Sequence, residues 1–148
     1  AGIDGILITD AIDEEAVEFS STLADSGLDL ISLIAPTTTD QRLEKIAKRS
    51  SGFLYAVSRA GVTGAKENIS IEAEKLVERA HKFTDMPIAV GFGISTRQQI
   101  VDVWSFADAA VVGSALVVEI ERSAALDPLS ATESFIRGLL PQFAKSGS

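Results

Sequence analysis

The chain of 148 residues contains no cysteine, one histidine, one methionine, one tryptophan and one tyrosine. Without cysteine there is no disulfide framework, no thiol nucleophile and no Cys-based metal site, a pattern that fits a cytoplasmic protein. Clustered ligands of the kind a metal site needs are missing too. The lone His81 stands at the end of a helical stretch between Glu78 and Lys82, where it reads as surface decoration. Its distance in sequence from the strand ends rules out a Ser-His-Asp triad. No apolar run approaches the roughly 18 residues of a membrane span, so a soluble protein is expected. The start, Ala1-Gly2-Ile3-Asp4, lacks the basic segment and apolar stretch of a signal peptide, and none is expected there. Cations are scarce as well. Thirteen Lys and Arg against 21 Asp and Glu leave a net charge of −8, which argues against a nucleic-acid partner. A small anion remains possible, because backbone amides can hold it without net positive charge.

What the chain has is apolar content: 46% hydrophobic residues and a positive mean hydropathy, enough for one domain, 1–148, with a substantial core. Five runs rich in Ile, Val, Leu and Ala read as strands: Gly5 to Thr9, Asp29 to Pro36, Gly52 to Ser58, Pro87 to Gly93 and Ala109 to Ala115. They lack clear in/out alternation, as expected of parallel strands buried on both faces. Between them lie helical stripes. Leu43, Ile46 and Ala47 form one; Ala73, Leu76, Val77 and Ala80 a second; Ile100, Val103 and Trp104 a third. Thr38 with Gln41, Ser95 with Gln98 and Ser130 with Glu133 have capping-box spacing, and Asp13 opens the first helix ahead of Glu14 and Glu15.

Strand starts at 5, 29, 52, 87 and 109 give a βα repeat of 22 to 24 residues with one interval of 35. The surplus falls in Arg59 to Asn68, a glycine-punctuated segment after the third strand, which reads as a mobile active-site loop. Two architectures accommodate such repeats: an open doubly wound sheet and a (β/α)8 barrel. The strand ends favour the barrel, which commonly holds a phosphate between the loops after its last two strands and a short extra helix. Here those loops carry Gly91-Phe92-Gly93-Ile94-Ser95 and Gly113-Ser114, and Leu116 to Arg122 supplies the short helix before Asp127-Pro128 breaks it. A full barrel needs eight strands and about 250 residues. Five are present in this α/β chain, and the other three are expected upstream.

The runs Tyr55-Ala56-Val57-Ser58-Arg59-Ala60-Gly61-Val62-Thr63-Gly64, Gly91-Phe92-Gly93-Ile94-Ser95 and Gly113-Ser114-Ala115 closely resemble the α subunit of tryptophan synthase, with further matches at Ile8-Thr9-Asp10 and Ala35-Pro36. The resemblance covers essentially the whole chain. It implies strands four to eight of a (β/α)8 TIM barrel that cleaves indole-3-glycerol phosphate by a retro-aldol reaction to indole and glyceraldehyde 3-phosphate. It also implies no cofactor of the subunit's own, and a pyridoxal-phosphate β subunit as partner in a heterotetramer. Carried over by position, Gly64, Gly93, Gly113 and Ser114 hold the substrate phosphate. Leu7, Leu33, Tyr55, Phe92 and Val111 line the indole pocket. Arg59, Gly61 and Thr63 belong to the closing loop, where Thr63 meets the catalytic aspartate. The family usually follows the strand-end Asp with Val-Pro; here Asp10 is followed by Ala11-Ile12. Its catalytic glutamate and aspartate lie on the second strand and the loop after it, a region with no counterpart here, so no acidic residue of this chain takes either role.

Plainer readings exist for each feature. Gly91 and Gly93 can relieve crowding at a turn, Tyr55 and Phe92 can be core, and Asp10 can be a turn-former leading into the Asp13 cap. The alternatives to a lyase half are a phosphate-binding or partner-docking fragment without catalysis, which would self-associate or join the amino-terminal barrel half, and another phosphate-binding barrel enzyme.

Overall fold

The computed structural model describes residues 2–9, 13–57 and 66–140. Five strands alternate with helices: β1 (Gly5–Ile8), α1 (Asp13–Asp25), β2 (Asp29–Ile34), α2 (Asp40–Arg49), β3 (Leu54–Val57), α3 (Lys66–Ala80), β4 (Ile88–Gly91), α4 (Arg97–Trp104), β5 (Ala109–Ala110), then α5 (Ser114–Ser123) and α6 (Pro128–Leu139). Every predicted strand is present, but shorter. The fifth is the most reduced, because the chain turns at Gly113 and enters α5 where the sequence predicts strand to Ala115. The extra helix is accordingly longer than the expected Leu116 to Arg122. Asp127-Pro128 does not break a helix but starts one. Residues 66 to 68, expected in the long loop, are already in α3.

Three caps fall elsewhere than the capping-box spacing suggests. Thr39, not Thr38, caps α2 by accepting from the Arg42 amide, while the Thr38 hydroxyl accepts from Ala35 N–H at 2.9 Å and turns the chain out of β2. At α4 the reciprocal box belongs to Thr96 and Gln99, one residue beyond Ser95 and Gln98. At α6 the cap is the Asp127 carboxylate, which accepts from Ser130 N–H at 3.1 Å, with Pro128 in the first turn where its missing N–H costs nothing. In each case several consecutive residues could cap, and the helix axis picks the one whose oxygen reaches an unpaired amide.

The sheet is wholly parallel, with spatial order β1-β2-β3-β4-β5. A doubly wound sheet reverses its order at a switch point and carries helices on both faces; this one does neither among the described residues. Leu30, Ser32 and Ile34 of β2, Leu54 and Ala56 of β3, and Ile88 and Val90 of β4 are buried and share one face by register. Most of them join Leu43 and Ile46 of α2, Ala73, Leu76, Val77 and Ala80 of α3, Ile100 and Val103 of α4 and Leu139 of α6 in one core cluster. The expected absence of alternation is therefore corrected. β2 and β3 alternate buried and half-buried, because helices cover one face and the other is open. Only β4, central to the packed helices, is buried throughout. Trp104, assigned to the α4 stripe, is 37% exposed at its rim.

Two polar ties hold the layers. Arg79 of α3 donates to Asp40 Oδ1 at 2.8 and 3.0 Å and to the Pro36 and Thr38 carbonyls, tying the loop after β2 to the neighbouring helix. Asp108 Oδ2 accepts from Ile88 N–H at 2.8 Å, joining the turn before β5 to the start of β4.

Candidate functional site

The open face of the sheet is set by register. Leu7 pairs with Ile31, Leu33 with Tyr55, Tyr55 with Ala89 and Ala89 with Ala109, so these residues share the side away from the helices. Val111, whose amide bonds Val90 O at 2.8 Å, continues β5 on the same side. Four of the five residues expected to line an aromatic pocket, Leu7, Leu33, Tyr55 and Val111, thus come to one partly exposed apolar surface. Phe92 does not follow them by alternation. It stands past the end of β4, half-buried, and packs against the helix-side core.

The glycines at the strand tips differ in what they do. A Cβ on Gly91 would run into the Tyr55 hydroxyl oxygen and stand 3.0 Å from two ring carbons, so Gly91 is small because the Tyr55 ring crosses it. Gly93 has φ +80 with open space around it, and serves the backbone turn alone. Gly113 is the N-cap of α5 and also opens onto free space. Gly93 and Gly113 each stand three positions beyond the paired Val90 and Ala110, past the ends of neighbouring strands.

The two helix starts beside these glycines are unlike. At α4, Gln99 Oε1 accepts from Ser95 N–H at 2.9 Å and Thr96 N–H at 3.1 Å, so those amides are taken. At α5 no side chain caps the first turn, and the exposed Ser114 hydroxyl stands at its opening. Of the remaining expected site residues, Arg59, Gly61, Thr63 and Gly64, and the strand-end Asp10, lie outside the described residues.

The perturbed carboxylates sit on α2, on α5 and at the N-cap of α6. Hydrogen bonding from Lys48 lowers the Glu44 pKa, bonding from Arg122 lowers that of Glu119 and is returned as a raised Arg122, and the Ser130 contacts lower that of Asp127. His81 is exposed, with Nδ1 3.4 Å from Thr84 O. Among the described residues no group of three or more His, Cys, Asp or Glu could hold a metal, and no helix is long and apolar enough to cross a membrane. Sequence reasoning missed the Tyr55–Gly91 contact and the Arg79 anchor. Both depend on distant segments meeting, the first through the register that sets Tyr55 beside Ala89, two residues before Gly91.

Sequential parallel strands, helices on one face only and glycine turns at the strand tips define five βα units of a (β/α)8 barrel. Comparison with known proteins agrees: the family model for the tryptophan synthase alpha chain matches residues 1–137. The chain belongs to the tryptophan synthase alpha chain family. It is 51% identical over 127 residues to the tryptophan synthase alpha chain of Caulobacter vibrioides, covering 86% of this chain and 46% of that protein. It is 42% identical over 146 residues to that of Methanopyrus kandleri, covering 98% and 52%. A solved tryptophan synthase α subunit from Pyrococcus furiosus superposes with a TM-score of 0.78 at 36% identity, over 93% of this chain and 54% of that one. The chain thus spans about half the length of the curated relatives it matches.

Proposed function

We propose that this chain is the substrate-binding half of an indole-3-glycerol-phosphate lyase, a carbon–carbon lyase of cytoplasmic tryptophan biosynthesis. The observation that carries the reading is the pairing of one apolar sheet face, bearing Leu7, Leu33, Tyr55 and Val111, with an uncapped α5 start at its rim. A flat aromatic group lies on such a face with little loss, and a phosphate is held by free amides at a helix start. Gly113 and Ser114 form the centre of the phosphate cradle, Gly93 shapes the turn beside it, and Gly64 contributes from the loop after β3. The indole lies against Tyr55, with Phe92 supporting the rim from beneath. Arg59, Gly61 and Thr63 close over the bound ester and exclude water.

The carboxylates that move protons come from a separate part of the barrel, and the chain by itself is inactive. That part is an amino-terminal barrel half or, failing it, the chain self-associates through its sheet edges. In the assembled enzyme the β subunit of tryptophan synthase takes up the indole in a heterotetramer. No cofactor is needed on this side of the reaction.

The test is complementation. The chain is mixed with the amino-terminal half of the Caulobacter vibrioides alpha chain, and indole is measured after adding indole-3-glycerol phosphate. Indole release by the mixture, and by neither part alone, is expected. A folded mixture that binds the ester and releases no indole sinks the lyase reading and leaves a phosphate-binding fragment.

A further inference from the structure

The outer surface between α1 and α2 carries a trough that the strand-tip site does not use. Packed helices usually interlock, a ridge of side chains on one filling a groove on the other. Here α1 offers Val17, Ser20, Ser21 and Ala24, at i, i+3, i+4 and i+7, and three of the four are too small to form a ridge. The Ser20 hydroxyl donates to Arg49 O at 2.8 Å and fixes the two helices at that distance. A cavity of about 660 Å³ results, a volume typical of small-molecule sites. Both walls belong to consecutive helices of this chain, so the trough does not depend on what lies beyond β1 or β5.

The facing wall has a different character. In its ten residues α2 holds four of the chain's thirteen Lys and Arg, although the chain as a whole bears −8. Lys45 and Lys48 line the trough, and its described lining residues include no carboxylate. A lysine lays its aliphatic stem along apolar surface and keeps its ammonium in water, so this wall is apolar below and cationic at the rim. Lys48 Nζ bonds Glu44 Oε1 at 2.7 Å, with both side chains exposed. Such a bridge contributes little, and a second carboxylate takes the place of Glu44 at small cost.

We propose that the α1–α2 trough binds a small amphiphilic carboxylate, its hydrocarbon tail along Val17, Ser21 and Ala24 and its head between the Lys45 and Lys48 ammonium groups. The tail takes Val17, 62% exposed, out of water, and the head meets clustered cations in a chain otherwise short of them. The site lies among the helices, across the sheet from the Tyr55 face, and does not rest on the lyase reading.

The test is an NMR titration of the isotopically labelled 148-residue chain with octanoate, 1-octanol and acetate. Octanoate should give saturable amide shifts in residues 17–24 and 45–49 and bind about fivefold tighter than octanol, the effect of one weak ion pair. Acetate, which has the head without the tail, should give none at the same concentrations. Ala24→Leu fills the trough and should weaken octanoate about tenfold, while Lys48→Gln should weaken octanoate about fivefold and leave octanol unchanged. Circular dichroism checks folding, and Ser21→Leu and Lys45→Gln replace a variant that fails. Where the chain folds only with the amino-terminal half of the Caulobacter relative, the same titration is run on that assembly, which contains the same two helices. Octanol binding as tightly as octanoate, acetate as effective as octanoate, no saturable shift, or full affinity in Ala24→Leu overturns the proposal. Shifts confined to residues 7, 33, 55 and 111 overturn it as well, by assigning octanoate to the open sheet face, and leave the lyase reading untouched.

Discussion

The Tyr55 ring of β3 lies across the Cα of Gly91 on β4, so closely that a single methyl group on Gly91 would overlap the phenol oxygen. Tyr55 is paired in register with Ala89, and the contact is the diagonal one, two residues further along the neighbouring strand. The side chain leans toward the carboxyl ends of the strands, where a ligand would enter. Gly91→Ala should therefore destabilise by overpacking, about 1–3 kcal/mol. Tyr55→Phe removes the oxygen that collides first and should restore part of that loss. Thermal unfolding of the two single variants and the double checks it; strictly additive losses would show that the contact is not the cause.

Ser114 tests the anion reading without disturbing the fold. It is exposed at the start of α5 and no side chain caps that turn. In the assembled enzyme, Ser114→Ala should leave the melting temperature unchanged and weaken binding of indole-3-glycerol phosphate about fivefold, the effect of one lost hydrogen bond. Titration calorimetry reads this directly. Unchanged affinity would place the phosphate elsewhere.

Arg79 spreads one guanidinium over Asp40 and two backbone carbonyls. Arg79→Met should destabilise by about 1–2 kcal/mol, since the two carbonyls lose a charged donor. Arg79→Lys should recover little, because a point charge cannot serve a planar fork of acceptors. Asp40→Asn should cost less than either, as the backbone contacts survive. Urea unfolding ranks the three variants, and a full rescue by lysine would contradict the assignment.

Asp127 makes the stability of α6 depend on pH. Hydrogen bonding from Ser130 lowers its pKa in the folded state, so its capping contribution is complete above the ordinary aspartate value of about 3.9 and fades as pH falls through the lowered folded value. Asp127→Asn keeps an oxygen for the cap but does not titrate. The variant should match the wild type near neutrality and lose less stability on acidification. Melting curves from neutral pH into the acid range measure the difference; parallel curves would remove Asp127 from the account.

Much of the fold is legible along the chain because βα repeats write themselves locally. Ala73, Leu76, Val77 and Ala80 recur at helical spacing, and all four are buried in α3. The caps were less legible. Thr38 and Thr39 are equally good acceptors in isolation, and only the direction in which the chain leaves β2 sends Thr38 to Ala35 and Thr39 to the helix. The candidate pocket divides in the same way. Leu33 and Tyr55 meet across a register no spacing rule states, and Phe92, alike in character, packs against the helix-side core, on the side that Ile88 and Val90 take before it.

By itself the sequence determined the number and order of strands and helices, the helix faces that are buried, and the family to which the chain belongs, since each rests on residues near one another or on motifs read in order. The tertiary structure decided what depends on distant segments meeting: that the strands lie in sequence order with helices on one side, which makes the sheet a barrel arc rather than a doubly wound layer. It also decided that Gly91 yields its space to Tyr55 while Gly93 bends the chain, because steric room is a property of neighbours across the sheet and not of the glycine itself.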